Sequence, residues 1–384
     1  MNKRVKKLAG LFLFFISGFS FAQSDSCSIR ISLLTCSPGQ ELYSTFGHSA
    51  LRVVDDEAKT DLVFNYGTFD FDDPDFYEKF VKGRLLYFVS VDSFPSFMWE
   101  YEYFKRGVTE QVLNIACPEK HKMLSALYDN AREENRYYRY NFNYDNCTTR
   151  IRDMLENVTS HPLIAKNIVP DKRSTFRHLI HEYLNKGRQY WSKLGIDILL
   201  GSPLDKRVHN REAMFLPDYL LKAFDSTVIN DQPLVAEKKI LLPELAAEKS
   251  IPVFIPLVFF SVLFLLIMFL SFSKSAILIN TFRVFDFLFF LSLGLMGLLL
   301  LFMWFGTSHA MCKNNFNLLW ALPFHLPMAF FVFSKKMWVK SYFRYIYFYS
   351  IVLAGAWFLL PQQLNFALIP VLGIILIRSY YRAR

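Results

Sequence analysis

The stretch Asn141–Arg152, NFNYDNCTTRIR, sets Cys147 between a polar turn (Tyr144, Asp145, Asn146) and the first turn of a helix that should run to about Glu156. Upstream, Tyr137–Phe142 reads as a strand, so the segment predicts a strand–turn–helix with the thiol at the helix start. Asn146 is the expected N-cap, its short side chain suited to accept from the orphan N–H groups of the first turn. A thiol there feels the partial positive charge of those groups, which favours thiolate. Its polar flanks set it apart from a packing cysteine. The competing reading is half of a disulfide, and the rest of the chain must separate the two.

Composition excludes a single soluble domain. The 384 residues are 53% hydrophobic and include 41 Phe, and the formal charge is +9. That charge is unevenly placed. Residues 1–22 carry Lys3, Arg4, Lys6 and Lys7 and no acid, while residues 251–384 carry ten basic residues against Asp286. The middle, 23–250, holds 29 basic and 33 acidic residues. Basicity therefore belongs to targeting and membrane segments, and nucleic acid is not an expected partner.

A basic start, an apolar run Leu8–Phe21 and small residues at Ser20 and Ala22 predict a secretory signal over residues 1–22. No aliphatic lipobox precedes Cys27, so the chain is not expected to be a lipoprotein. Strands are expected at Ile29–Leu34, in the second half of Glu41–Val54, and at Leu62–Tyr66, Leu85–Val91 and Thr109–Ile115. Pro118–Glu134 has helical periodicity. Residues 160–224 read as mainly helical, either resting on the membrane or forming plain core, and residues 225–250 as a linker.

From Ile251 the chain becomes apolar, with runs near 252–272, 284–306, 316–333, 343–360 and 364–378. A span needs ~20 helical residues, and the last two runs are marginal. With residues 23–250 exported, nine basic residues fall in inner loops (Lys274, Arg283, Lys335, Lys336, Lys340, Arg344, Arg378, Arg382, Arg384) and one, Lys313, outside. The positive-inside rule thus predicts about five spans, in the inner (cytoplasmic) membrane, with the N-terminal domain in the periplasm. Export also exposes Cys27, Cys36 and Cys117 to oxidation, and one pair among them can form. No C-x-x-C or His cluster has metal-ligand spacing, so neither a metal nor another cofactor is expected.

A thiol nucleophile needs a base, and the base an orienting partner. Of six histidines in the exported part, His48 follows Gly47 at a strand start, and Asn65 lies on the strand expected to pair with it. The others read as ordinary surface or core residues. Tyr43 and the Cys147 N–H are candidate oxyanion donors, and Arg150 can meet a phosphate or a helix carboxylate. In the outer membrane loop, His309 and Asn315 are candidates for headgroup binding, or else interfacial residues between the belt anchors Trp304 and Trp320. His325 is expected about two turns into the third span.

The order His on a strand, polar partner on the next strand, Cys at a helix start resembles the permuted papain-like lecithin:retinol acyltransferase and NlpC-type group. LLTCSPGQELYSTFGHSALRV (33–53), FNYGTFDF (64–71), YNFNYDNCTTRIRD (140–153), MFLP (214–217), WFGTSH (304–309) and NFNLLWALPFH (315–325) are similar, more closely, to the Lnb family of bacterial lipoprotein N-acyltransferases. The resemblance implies transfer of a fatty acyl chain from a phospholipid, through a Cys147 thioester with His48 as base, to the α-amine of a diacylglyceryl-cysteine lipoprotein. It further implies an α+β permuted papain-like periplasmic domain (23–159), a helical extension and linker (160–250), and an α-helical transmembrane bundle of about five helices (251–384). Asn65 as third member is a placement from strand pairing. The alternative is a membrane-anchored cysteine peptidase or amidase acting on the cell wall.

Overall fold

The structure is a computed structural model that describes residues 27–244, 254–273 and 275–384. The secretory signal expected over 1–22, together with Lys274, lies outside them. Among the described residues nine strands form: β1 (Ile29–Cys36), β2 (His48–Asp55), β3 (Thr60–Thr68), β4 (Leu86–Ser93), β5 (Val108–Leu113), β6 (Tyr137–Arg139), β7 (Val228–Ile229), β8 (Gln232–Pro233) and β9 (Val235–Leu242). All but the β7–β8 hairpin join one antiparallel sheet in the order β6-β4-β3-β2-β1-β5-β9.

The interior strand β1, IRISLLTC, is buried at every position but Arg30, because helices cover both faces of the sheet. After α1 (Phe76–Val81), helix α2 (Phe94–Tyr103) covers one face, where Phe97 and Tyr101 pack on Leu34, Cys36 and Val63. On the other face lie α3 (Cys117–Ala131) and α4 (Cys147–Thr159). Ile151, Met154, Leu155 and Val158 recur at three- and four-residue steps and bury one side of α4 in the core with Ile31, Leu33, Leu51 and Phe64. The antiparallel sheet with helices on both faces gives the N-terminal half the expected α+β class. A Cys27–Cys117 disulfide ties the start of β1 to the start of α3, and Cys36 stays free and buried.

Two expectations about residues 160–250 are corrected. Residue 160 is no boundary in the packing: α5 (Phe176–Lys186) and α8 (Pro217–Ser226) place Phe176, Leu179, Ile180, Leu220 and Phe224 in the same core as Ile31 and Phe64. Between them lie α6 (Tyr190–Leu199) and the short α7 (Asn210–Ala213). Nor are residues 225–244 a linker, because β9 pairs with β5 along the sheet edge. Its charged AEKK stretch looked like linker sequence, yet charged, exposed side chains are what keep an edge strand from pairing with other chains.

The C-terminal half contains α9 (Pro256–Ser271), α10 (Ala276–Phe305), α11 (His325–Phe330), α12 (Met337–Ala356) and α13 (Leu368–Ala383). Among the described residues only α10, with 30 residues, is long and apolar enough by itself to cross a membrane. The run at 316–333 is not one helix. Pro323 and Pro327 break it into a 3-10 turn (Phe316–Leu319) and the six-residue α11, which His325 begins rather than sitting two turns into a span. That broken segment lies directly on α10 at Gly294 and Gly297, where a side chain would strike the Leu326 and Ala321 backbone. Arg378 and Arg382 are not loop residues either, since α13 contains both, and each pairs with the buried Asp286 of α10, Arg378 through Nε at 2.6 Å. Arg378 also donates to Ser271 of α9 at 2.9 Å, so this ion cluster ties α9, α10 and α13 together.

Candidate active site

Cys147 is the first residue of α4, so its N–H has no intrahelical acceptor and the helix dipole points at it. Asn146 caps the helix as expected, its Oδ1 accepting from the N–H groups of Thr148 (2.9 Å) and Thr149 (2.8 Å). Its Nδ2 donates to the carbonyls of Phe142 (2.8 Å) and Phe215 (2.7 Å), and Thr149 Oγ1 accepts from the Asn146 N–H at 2.8 Å. These bonds hold the turn that carries the thiol from both sides, which is why Phe215, far away in sequence, belongs to the site.

His48 opens β2 beside Cys147, and the two groups shift each other's titration. Gly47 makes the approach possible: its φ is +78°, and a Cβ there would meet the Cys36 carbonyl oxygen at 2.6 Å. Asn65 of β3 faces the other imidazole nitrogen, with Oδ1 3.2 Å from His48 Nε2. Asn65 Nδ2 donates to Asp92 Oδ2 at 2.9 Å, and Ser90 Oγ donates to the same oxygen at 3.2 Å. The Asp92 carboxylate fixes which way the amide faces, since a carboxylate accepts only from the NH₂ end. The oxygen is thereby left to accept from His48 Nε2–H, and Nδ1 is free for the thiol. Sequence spacing pointed to Asn65 but missed Asp92, which reads as one more polar residue at the end of β4.

The electrostatics match a thiolate–imidazolium pair. Burial by itself raises the Cys147 thiol, but the charge and hydrogen bond of His48, the Ser49 backbone N–H and the Thr148 hydroxyl outweigh it and hold it at about 7. Burial lowers His48, yet Cys147 and the Asn65 oxygen reverse that and leave it raised. Cys36, buried and lacking such a partner, is pushed up to about 12. Iodoacetamide should therefore alkylate Cys147 half-maximally near pH 7, with labelling lost as pH falls and the thiolate reprotonates, while Cys36 stays unlabelled. In His48→Ala the half-point should move up by about two units, toward an ordinary thiol. Mass-spectrometric counting of adducts across pH checks both; an unshifted profile in His48→Ala would remove the pair.

Two tyrosines next to the thiol were not singled out from sequence. Gly67, at φ +90°, leaves a space that Tyr140 Cε2 (3.4 Å), Cys147 Cβ (3.8 Å) and Tyr138 Oη (3.9 Å) all border, measured from where a Gly67 Cβ would stand. The Tyr138 hydroxyl is buried with no hydrogen-bond partner among the described residues. Burial, then the neighbouring Cys147, pushes its pKa far up, so it keeps its proton.

The other expected site residues lie elsewhere. Tyr43 is 67% exposed on a 3-10 turn (Leu42–Ser44), its ring edge-on to Phe69, and its hydroxyl makes no hydrogen bond among the described residues. Arg150 is committed to Asp145 through two hydrogen bonds (2.6 and 3.0 Å) and lies 3.5 Å over the Tyr138 ring. His309 clasps α1, its Nε2 3.2 Å from the carbonyls of both Phe80 and Val81. Asn315 is buried, and its Nδ2 donates to the carbonyls of Ile198 (2.7 Å) and Leu199 (3.0 Å) at the end of α6.

That last contact belongs to a larger joint. The final carbonyls of α6 have no intrahelical partner, and amides from the segments after α10 and α12 fill that role. Asn317 donates to Asp197 O at 2.8 Å and Gln362 to Leu200 O at 3.0 Å. The headgroup role expected of Asn315 thus gives way to a domain joint. No metal site competes for the thiol: among the described residues Cys27, Cys117 and His121 cluster, but the two sulfurs are bonded to each other.

Comparison with known families places both halves. Residues 18–182 match the model described as the Lnb N-terminal periplasmic domain, and residues 247–384 that described as the Lnb transmembrane domain. No curated protein and no solved structure matches the chain.

Proposed function

Because this chain belongs to the Lnb family, a membrane protein with a periplasmic and a transmembrane domain, we propose that it is a lipoprotein N-acyltransferase working through a Cys147 thioester. The observation that carries the reading is the partly buried line Cys147–His48–Asn65–Asp92 at the start of α4. It supplies an activated nucleophile, a base and two orienting groups in the order thiol acyl transfer needs. The periplasmic fold is read as a permuted papain-like one, with the nucleophile on the helix and the base on the sheet. The membrane half is read as five segments: α9, α10, the broken stretch 316–333, α12 and α13. It is placed in the inner membrane, with the catalytic domain outside.

In the first half-reaction the Cys147 thiolate attacks an acyl ester carbonyl of a phospholipid. The tetrahedral oxyanion is met by the Cys147 N–H and the Tyr138 hydroxyl. Collapse breaks the ester C–O bond, His48 gives its proton to the departing oxygen, and lysophospholipid leaves an acyl thioester behind. In the second, the α-amine of a diacylglyceryl-cysteine attacks the thioester and neutral His48 takes the amine proton. The C–S bond breaks, an amide is formed and the thiolate–imidazolium pair is restored. His48 therefore alternates between acid and base, and Asn65 Oδ1 steadies Nε2–H in both states.

N-terminal acylation of lipoproteins, read by mass spectrometry in cells that depend on this protein, tests the function directly. Tyr138→Phe tests the oxyanion assignment. It keeps the ring beneath Arg150 and should slow acylation by about 10²-fold while leaving the alkylation profile of Cys147 in place. Full activity in that variant would remove Tyr138 from the mechanism.

A further inference from the structure

A continuous strip of aromatic rings leads away from Cys147. Tyr140, beside the thiol at Gly67, stacks on Tyr87 with ring centroids 4.5 Å apart. Tyr87 meets Phe69 at 5.3 Å, Phe69 meets Phe76 at 6.1 Å, and Phe76 stacks on Phe80 at 6.1 Å. The far end of the strip is α1, and α1 is fixed to the membrane half. The carbonyls of Phe80 and Val81 face His309, and Lys82 O accepts from the Ser308 N–H at 2.9 Å. Ser308 and His309 closely follow the outer end of α10, the one helix among the described residues long and apolar enough to span alone. The strip thus begins at the nucleophile and ends at the bilayer boundary.

A loop that merely packed on itself would bury its rings. Phe76 is buried, but Phe71 is 64% and Phe80 50% exposed. A contiguous exposed apolar patch rarely survives on a surface that faces only water. The basic residues of α1 do not offer free charge for an anionic partner, since Lys79 pairs with Asp73 and Lys82 with Glu78. What the strip presents is elongated and apolar, shaped for a hydrocarbon chain rather than a headgroup.

We propose that the strip from Phe80 to Tyr140 is the binding surface for the acyl chain of the donor phospholipid, with α1 seated in the outer-facing leaflet as its entrance. This rests on the acyltransferase reading for its purpose, but not for its test. The competing place is the cavity of about 430 Å³ lined by Ser202, Trp304, Asn314, Phe316 and Leu318 at the outer loops. It lies beside the domain joint, and nothing links it to the thiol by contact.

The full-length protein should be reconstituted into phosphatidylethanolamine–phosphatidylglycerol vesicles containing a phospholipid with a diazirine on one acyl chain. It is then irradiated and the adducts mapped. Adducts on residues 69–87 are expected, and equally in Cys147→Ala, because lying on the strip needs no chemistry. Adducts confined to the cavity at Trp304 and Phe316 would overturn the proposal. In the transfer assay, Phe71→Ser together with Phe80→Ser should raise the KM for phospholipid about tenfold. Both sites are exposed, and unchanged pH-dependent alkylation of Cys147 reports an intact fold. An unchanged KM would also overturn it. Should adducts form on the strip while wild-type protein transfers no acyl chain, the acyltransferase reading fails and the lipid surface stands.

Discussion

Cys147→Ala is expected to abolish lipoprotein N-acylation, with a fall of about 10⁴-fold or more, as when the nucleophile of a cooperating set is removed. The loss should be chemical rather than structural. The Cys147 side chain adds little to a core that Ile151, Met154, Leu155 and Val158 already hold, and the cap bonds of Asn146 are made by other atoms. Cys147→Ser should be nearly as inactive, because a hydroxyl has no accessible ionised form for His48 to stabilise. With wild-type protein and phospholipid but no lipoprotein acceptor, an acyl adduct labile to hydroxylamine should accumulate on Cys147. Both half-reactions are then readable, the adduct for the first and N-acylated peptide for the second. Acylation that survives Cys147→Ala, or an adduct on another residue, would end the thioester mechanism. Cell-wall fragments released by the wild-type protein and not by Cys147→Ala would instead assign the same site to a peptidase or amidase.

The second large effect lies away from the thiol, at Arg177. This guanidinium is fully buried and donates to Asp197 (2.7 Å), to both Asp205 oxygens (2.9 and 3.0 Å) and to the carbonyls of Leu200 (3.2 Å) and Gly201 (3.0 Å). Asp197 is shared with His181 and with Asn365 of the membrane half, each at 2.8 Å. Arg177→Leu would take the guanidinium away from two carboxylates, one of them fully buried, and remove one of the donors at the end of α6. Removing one partner of a buried pair costs about 3–5 kcal/mol. Chemical denaturation of the purified full-length protein should show that loss, and protease should cut more readily between α6 and α8. Adding Asp197→Asn should restore part of it, since the stranded charge goes with the carboxylate. A loss below about 1 kcal/mol would mean the joint is held by apolar packing instead. Catalysis should suffer as well, because the joint orients the thiol domain over the membrane.

Much of the site was legible in sequence because it rests on short-range signals. Asn146 before Cys147 is a local cap, and Gly47 before His48 is a local freedom of the backbone. Asn65 followed from counting across a hairpin, since β2 and β3 pair in register. Asp92 and Tyr138 were not legible. Both lie on or at the end of strands expected from sequence, but the order of β4 and β6 outward from β3 comes from sheet topology. The membrane half repeats the contrast. Its hydropathy marked where apolar runs begin and end, but composition does not show that Pro323 and Pro327 fold one run back onto Gly294 and Gly297.

Asn315, His309 and Arg150 are instructive in the same way. A polar residue at a membrane mouth, or an Arg beside a thiol, advertises its chemistry but not its partner. Asn315 is taken up by α6, His309 by α1, and Arg150 by Asp145 and the Tyr138 ring. Each commitment depends on segments 5 to 229 residues apart in sequence.

By itself the sequence determined the division of the chain into an exported α+β half and an apolar half, the helix start that activates Cys147, and the His48–Asn65 pairing. These depend on periodicity, capping and charge, all of which act over a few residues. Only the tertiary structure decided that residues 160–244 belong to the same core and sheet, that Asp92 holds Asn65, and that the outer loops cap α6. Those outcomes depend on which buried polar groups find one another once the sheet has closed, and a buried donor takes its nearest acceptor in space whatever its distance along the chain.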